Sequence, residues 1–231
     1  MTATRSLAKI ALFHQLDAEA LRRLSLRCFW RDVGAKEWII EYSNEGTEIY
    51  FVTGGEVRAM IQSVAGRDVI LTDIQAGGWF GEISALDGQP RSASIRALTN
   101  ATIARMPAVV FWEVLHQHPS VSDHILKQMA ARVRALTERI NEFSSLDVRH
   151  RIYAELLRLS RPDPANKIGA IISPPPSHSE IAARISTRRE MITRELKVLE
   201  RAGLLTRRRG AYVISNKHDL IQRLEDAREA D

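Results

Sequence analysis

Residues 80–94 read Phe80-Gly81-Glu82-Ile83-Ser84-Ala85-Leu86-Asp87-Gly88-Gln89-Pro90-Arg91-Ser92-Ala93-Ser94. The segment lies among short β-prone runs and holds two glycine-initiated turns, one carboxylate, and an arginine followed by a hydroxyl. A carboxylate accepts hydrogen bonds from sugar hydroxyls, and a planar guanidinium matches the oxygens of a phosphate. Small residues at Gly81, Ser84 and Ser92 let backbone N–H groups come close to an anion. Glu82, Arg91 and Ser92 together suit a sugar phosphate held on the turns of a β-rich unit.

Around this segment, Trp30 to Met106 divides into short runs rich in Ile, Val, Phe, Tyr and Thr. They are Trp38-Ile39-Ile40, Ile49-Tyr50-Phe51-Val52, Val57 to Ile61, Val69 to Ile74, Ser92 to Leu98 and Ala101 to Met106. Asn44-Glu45-Gly46, Gly54-Gly55, Ala65-Gly66, Gly77-Gly78 and Asp87-Gly88 punctuate them as turns. Many short strands at this spacing predict an antiparallel sandwich or roll. Ahead of it, Leu7, Ile10, Leu12, Phe13, Leu16, Leu21, Leu24 and Leu26 predict short amphipathic helices over residues 6–27.

After Pro107 the period becomes helical. Ala108 to Gln117 predicts a short helix, and Pro119 opens a longer one to about Ser145. Along it Ile125, Met129, Val133, Leu136, Ile140 and Phe143 recur at steps of 4, 4, 3, 4 and 3, close to the seam of two helices wound together. Arg132, Arg134, Glu138, Arg139 and Glu142 flank that seam, where paired charges can set register. Ser144-Ser145-Leu146-Asp147 reads as a hinge, with Asp147 capping a helix over 148–160 whose buried side carries Ile152, Leu156, Leu157 and Leu159. A turn-rich loop over 161–166 then leads to a strand at Ile168 to Ile172, and Pro174-Pro175-Pro176 stiffens the approach to the next element.

Ser177-His178-Ser179-Glu180 ahead of Ile181-Ala182-Ala183 predicts a capped helix start. A break at Ser186-Thr187 separates it from a second helix, Arg188 to Ala202, closed by Gly203. Two short helices with so brief a turn predict a helix-turn-helix. Ile192, Leu196, Val198 and Leu199 are the expected inner face of the second helix, and Arg188, Arg189, Glu190 and Arg194 the outer one. Arginine can bridge both acceptors of guanine, and glutamate can accept from the amino group of cytosine. Leu204 to Ile214 predicts a β-hairpin wing whose tip, Arg207-Arg208-Arg209, is suited to phosphate.

Charge follows this division. The net +5 is spread unevenly: Val148 to Asp231 carries 17 Lys+Arg against 11 Asp+Glu, net +6, and the preceding residues 16 against 17, net −1. A basic unit joined to a near-neutral one suggests polyanion binding at one end. No window approaches the apolar run needed to span a bilayer, so no membrane partner is expected. Met1-Thr2-Ala3-Thr4-Arg5-Ser6 lacks the apolar core of a signal peptide, and the single Cys28 excludes an internal disulfide or a cysteine-ligated cluster. A cytoplasmic location is the expectation.

These segments together resemble the bacterial cyclic-AMP receptor protein and fumarate–nitrate reductase regulator family of dimeric transcription factors, over roughly residues 10–215. Phe80-Gly81-Glu82 and Pro90-Arg91-Ser92-Ala93 are similar to the phosphate-binding cassette of its cyclic-AMP receptor branch. Gln128-Met129-Ala130, Leu146-Asp147-Val148 and Arg189-Glu190 with Arg194 are similar to its long helix, hinge and recognition helix. The resemblance implies an α+β fold: a cyclic-nucleotide-binding antiparallel β-roll over 1–118, a dimerisation helix and hinge over 119–146, and a winged helix-turn-helix over 147–231. It implies that Arg91 and Ser92 hold the cyclic phosphate and that Glu82 binds the ribose 2′-hydroxyl. Gly81, Ile83 and Ser84 would line the cassette, Arg132 would bridge to Glu82, and Thr137 would touch the purine. Leu136 replaces a threonine of the best-known members, so one base contact is lost or altered. The Thr137 hydroxyl, which both donates and accepts, suits adenine or guanine. Cyclic AMP and cyclic GMP both stay open as the effector, cyclic AMP favoured.

The same resemblance implies that Arg189, Glu190 and Arg194 read a G-T-G core in a palindrome of TGTGA-like half-sites on double-stranded DNA, a docking geometry taken from the catabolite activator. Arg188 and Arg207 to Arg209 would add contacts, and the loop from Arg161 to Lys167 stands where relatives contact RNA polymerase. No catalytic residue and no metal site is expected: nucleophile–base pairs, metal-ligand spacings and a P-loop are all missing. Two alternatives stay open, a regulator of the same fold sensing haem or a small organic acid, and a cyclic-nucleotide module regulating an enzyme. His14, His116, His118, His124, His150, His178 and His218 are the available axial ligands for haem.

Overall fold

Alternation with a period of two shapes the first part of the chain. In the run from Ile49 to Val52, Ile49 and Phe51 point one way and Tyr50 and Val52 the other; Phe51 and Val52 are both fully buried, so this strand is covered on both faces. The computed structural model describes residues 5–62 and 68–229; the expected turn at Ala65-Gly66 and the opening Met1 to Thr4 lie outside the described residues. The chain separates into two compact units, residues 1–132 and 133–231.

In the first unit a 3-10 turn (Ala11–Phe13) and α1 (Ala18–Leu26) precede the sheets. Asp17 caps α1 by accepting from the Ala20 N–H at 2.7 Å. The strands are β1 (Phe29–Val33), β2 (Trp38–Ile40), β3 (Ile49–Gly54), β4 (Glu56–Gln62), β5 (Asp68–Gln75), β6 (Trp79–Phe80), β7 (Ser94–Ala97) and β8 (Ala101–Met106), with α2 (Glu82–Asp87) between β6 and β7. They form two antiparallel sheets, ordered β1-β8-β3-β6 and β2-β7-β4-β5. Val52, Val57, Ala59, Phe80 and Ile95 form a core with Ile40 and Ala101. Ile49, Phe51, Ala104 and Met106 pack with Leu12, Phe13, Phe111 and Val121. Those last two belong to α3 (Ala108–Gln117) and α4 (Pro119–Ser145).

The second unit takes the end of α4 and adds α5 (Val148–Leu159), β9 (Arg161–Asp163), β10 (Asn166–Ile172), α6 (His178–Arg184), α7 (Arg189–Arg201), β11 (Leu205–Arg208), β12 (Ala211–Ile214) and α8 (Lys217–Glu229). Its sheet runs β11-β12-β10-β9. Ile152, Leu156, Ile181, Ile192, Leu196, Leu199 and Leu220 make one core. Both expected caps are present: Asp147 accepts from the His150 N–H at 2.9 Å, and Ser177 and Glu180 form a reciprocal capping box.

Several expectations need correction. The interval between Gly81 and Gly88 is a six-residue helix bounded by left-handed glycines, not a bare pair of turns; so short a segment shows no helical period. Residues 161–166 are not a loop but part of the β9–β10 hairpin, and Pro162 is tolerated because β9 is an edge strand. Leu26 and Val198 are exposed rather than inward-facing.

The exposed apolar stripe on α4 also differs from the expected one. Ile125 is buried in the core of its own unit, whereas Leu126 is 66% exposed. Leu126, Met129, Val133, Leu136, Ile140 and Phe143 step by 3, 4, 3, 4 and 3, a stricter heptad than the one beginning at Ile125. Arg139 and Glu142 do not flank that stripe as free register charges: Glu142 is buried, and both join an ion network with α5.

Candidate functional site

The cassette is organised around Arg91, whose side chain is only 4% exposed. Backbone bonds clasp its main chain: Arg91 N–H donates to the Asn44 carbonyl at 3.0 Å, and its carbonyl accepts from the Ser43 N–H at 2.9 Å. Its Nη1 donates to the carbonyls of Glu48 (2.9 Å) and Gly81 (3.2 Å), and Nη2 donates to Glu48 Oε2 at 3.1 Å. The guanidinium lies over the Tyr50 ring at 5.4 Å, and that ring stacks on Phe80 at 5.0 Å. Gly81 has to be glycine here. With φ of 82°, a Cβ would fall 2.7 Å from Arg91 Nη1 and 2.9 Å from the Glu48 carbonyl oxygen.

A cleft of about 340 Å³ opens beside Arg91, bordered by Tyr50, Glu48, Arg105, Gly46 and Trp38. Glu48, Tyr50 and Arg105 were absent from the sequence-derived site. Alternation could have found the first two, since Glu48 is two residues ahead of Tyr50 and four ahead of Val52, on one side of the strand. Burial, with the Glu48 carboxylate nearby, raises the Tyr50 phenol above its ordinary range.

Glu82, at the start of α2, is buried at 2% exposure. Its Oε1 accepts from Arg132 on α4, while Oε2 is buried with no hydrogen-bond partner among the described residues. A buried carboxylate oxygen without a donor is costly, so a donor supplied by a ligand would be favoured there. Ser84 is buried and donates to the Pro90 carbonyl at 3.5 Å. Ser92 is exposed, as is much of Ile83. The expected Arg132–Glu82 bridge is therefore present. Thr137 is exposed in the second unit, and its hydroxyl donates to its own helix at the Val133 carbonyl, 3.0 Å away.

In the second unit α6 and α7 meet across Ser186, which holds a positive φ of 51°. Arg188, Arg189, Glu190 and Arg194 are all exposed at the N-terminal half of α7. The wing is the β11–β12 hairpin, with Arg209-Gly210 as its two-residue turn and Gly210 at φ 75°. Arg208 and Arg209 are exposed and have no ion-pair partner among the described residues. Arg207 differs from the expected free tip residue: its Nε donates to Glu200 on α7, and its guanidinium lies over Tyr212 at 5.5 Å.

Arg207 Nη2 also meets His178 Nε2 at 3.3 Å, and His178 Nδ1 lies 2.7 Å from the Thr193 hydroxyl, which donates to the Arg189 carbonyl at 3.1 Å. Since Arg207 can only donate, this chain requires neutral His178 with its proton on Nδ1. Burial, then the charges of Arg207 and Arg189, lower the His178 pKa below 6.5, with Glu200 opposing. On acidification through 6.5 the unfolded chain binds the proton first, so the unit loses stability as pH falls toward the lower folded-state value. Thermal unfolding at pH 7.5 and 5.5, about one unit either side of the unperturbed histidine value, should show a drop that His178→Gln reduces. Superimposable pH profiles for the two proteins would contradict this.

Two family models match the chain, a cyclic nucleotide-binding domain over residues 30–118 and a Crp-like helix-turn-helix domain over residues 150–223. The cAMP-activated global transcriptional regulator Vfr of Pseudomonas aeruginosa is 28% identical over 200 residues, covering 85% of this chain and 94% of Vfr. The cAMP-activated global transcriptional regulator CRP of Salmonella typhimurium is 27% identical over 180 residues, covering 78% of this chain and 86% of CRP. Among solved structures, a CooA mutant from Carboxydothermus hydrogenoformans superposes with a TM-score of 0.79 at 18% identity, covering 93% of this chain and 95% of that one. The c-di-GMP-responsive regulator CLP of Xanthomonas campestris gives 0.70 at 22% identity, covering 87% and 100%. With a nucleotide-binding β-roll followed by a long helix and a helix-turn-helix, the chain belongs to the CRP/FNR family of transcription factors, DNA-binding regulators rather than enzymes.

Proposed function

We propose that this regulator is switched by a cyclic purine mononucleotide, cyclic AMP in first place and cyclic GMP in second, and that it then binds a palindromic operator as a homodimer. The observation that carries the reading is the orphaned Oε2 of Glu82, a buried acceptor in the same cassette as Arg91. A ribose 2′-hydroxyl would supply the missing donor, and Arg91 with Ser92 would hold the cyclic phosphate. Gly81, Ile83 and Ser84 line the cassette, and Arg132 ties Glu82 to the long helix. The resemblance gives Thr137 the purine contact. Vfr and CRP, both named as cAMP-activated, support cyclic AMP over other signals. The experiment is calorimetric titration of the purified protein with each nucleotide; absence of heat and of any thermal shift with both would sink the reading.

In this reading residues 1–118 bind nucleotide, 119–146 dimerise and hinge, and 147–231 bind DNA in the cytoplasm. The exposed stripe Leu126, Val133, Leu136, Ile140 and Phe143 is the dimer seam. Ile140→Glu places a like charge in each chain at the seam and should convert dimer to monomer in sedimentation; an unchanged dimer would refute the seam.

Arg189, Glu190 and Arg194 are assigned to base edges of TGTGA-like half-sites, with Arg188, Arg208 and Arg209 at phosphates. Arg207 is better assigned to bracing the wing against α7 than to DNA, given its Glu200 partner. The β9–β10 hairpin is the proposed RNA polymerase contact. Glu190→Ala should relax discrimination at one base pair by about 1–3 kcal/mol while leaving nonspecific binding in place. Equal loss on cognate and scrambled duplexes in gel shifts would contradict the base-reading role.

A further inference from the structure

The donors of Arg91 are unevenly occupied. Both N–H groups of Nη1 are engaged by the Glu48 and Gly81 carbonyls. Nε donates to nothing among the described residues, and Nη2 donates to the Glu48 carboxylate. Nε and Nη2 form the edge that a phosphate would grip in a two-pronged bond. Gly46 borders that edge: a Cβ there would lie 3.3 Å from Nη2, 3.5 Å from Nε and 3.1 Å from Glu48 Oε2. The absence of a side chain at position 46 keeps the edge open, and among the described residues the one anion that reaches it is Glu48.

Glu48 has a second cation within reach. Its Oε1 accepts from Arg105 Nη1 at 3.3 Å, and Arg105 is 44% exposed on the same cleft, against 4% for the Arg91 side chain. The carboxylate thus bridges a buried arginine and a partly exposed one. A phosphate arriving at Nε and Nη2 would stand beside a carboxylate of like charge, which is unfavourable unless that carboxylate turns away. Arg105 provides the place to turn.

We propose that Glu48 is a built-in competitor of the ligand phosphate: it occupies Arg91 in the empty pocket and is handed to Arg105 when the nucleotide binds. Glu48 and Arg105 thereby set the affinity of the pocket without touching ribose or base. The inference rests on the nucleotide reading above and adds two residues to it.

Cyclic AMP and cyclic GMP are titrated into the wild type, Glu48→Gln, Arg105→Gln and the double variant. Glu48→Gln removes the competing charge and keeps the shape, so both nucleotides should bind about tenfold tighter, equivalent to about 1.4 kcal/mol. Arg105→Gln confines the carboxylate to Arg91 and should weaken both, and the double variant should recover the affinity of Glu48→Gln. Glu48→Thr serves as a second neutral replacement, and thermal melts of the free proteins verify folding. Wild type and Glu48→Gln binding equally, or Glu48→Gln binding more weakly, would overturn the proposal and make Glu48 a brace for Arg91, with the nucleotide reading intact. Failure of the wild type itself to bind would remove both.

Discussion

Arg91→Leu is expected to lose cyclic-nucleotide binding by at least a hundredfold and, separately, to destabilise the first unit. The ligand effect follows from the loss of the buried guanidinium that faces the cleft, since about 1.4 kcal/mol corresponds to each factor of ten and charge-assisted bonds to phosphate exceed that together. The stability effect arises because Arg91 also has a structural duty. Its Nη1 satisfies the Glu48 and Gly81 carbonyls and its Nη2 the Glu48 carboxylate. Removing one partner of such a buried pair typically costs about 3–5 kcal/mol. Glu48 is partly exposed and keeps Arg105, so the lower end is expected. Calorimetry and thermal melts separate the two effects, and Arg91→Lys, which retains charge but not the fork, should recover stability more than affinity. Full nucleotide affinity in Arg91→Leu would remove Arg91 from the site.

The second large effect is expected at Glu155. This α5 residue is 1% exposed and accepts from Arg139 Nη1 at 2.7 Å and from Arg158, with Arg184 at 3.9 Å. Arg139 also donates to the Arg184 carbonyl at the end of α6, and Glu142 pairs with Arg158 at 2.5 Å. The network thus joins the last turns of α4 to α5 and to the first helix of the helix-turn-helix. Burial works against the charge of Arg158, and the Glu155 and Glu142 carboxylates outweigh it, raising its pKa. Glu155→Ala would leave Arg139 and Arg158 sharing Glu142 and would take from Arg184 its Glu155 carboxylate. A loss of about 3 kcal/mol and a fall in Tm of 10 °C or more (about 4–8 °C per kcal/mol for a unit of this size) are expected. A melt within about 2 °C of wild type, less than 1 kcal/mol by the same scale, would show the network to be dispensable.

Much of this was legible in the sequence because strong periods and caps recur. The run from Ile49 to Val52, the helix opened by Pro119 and the Ser177–Glu180 capping box each signal their structure within a few residues. What escaped were elements too short or too polar to show a period: α2, the two-residue β6, the edge strand β9, and α8, whose buried contacts are mainly Leu220 and Leu224. Around the cassette, the placement of Glu82, Arg91 and Arg132 was readable because a carboxylate and arginines at those positions resemble a known cassette. Arg105 was not, since a charged residue at a strand end reads as solvent-facing until β8 pairs with β3 and sets it beside Glu48. The seam on α4 shows the same limit: Ile125 and Leu126 are adjacent, and only the packing of α4 on its own unit separates buried from exposed.

In the proposed switch, occupancy of the roll governs DNA binding, a population shift in which the nucleotide favours the competent arrangement by its differential affinity. Fluorescence anisotropy of a labelled duplex with two inverted TGTGA half-sites, titrated with wild-type protein alone and with saturating cyclic AMP or cyclic GMP, tests it most directly. At least one nucleotide should tighten binding a hundredfold or more, about 2.8 kcal/mol of coupling, with no such gain on a scrambled duplex. Operator affinity that is the same with and without either nucleotide, in a protein shown by calorimetry to bind it, would contradict the account.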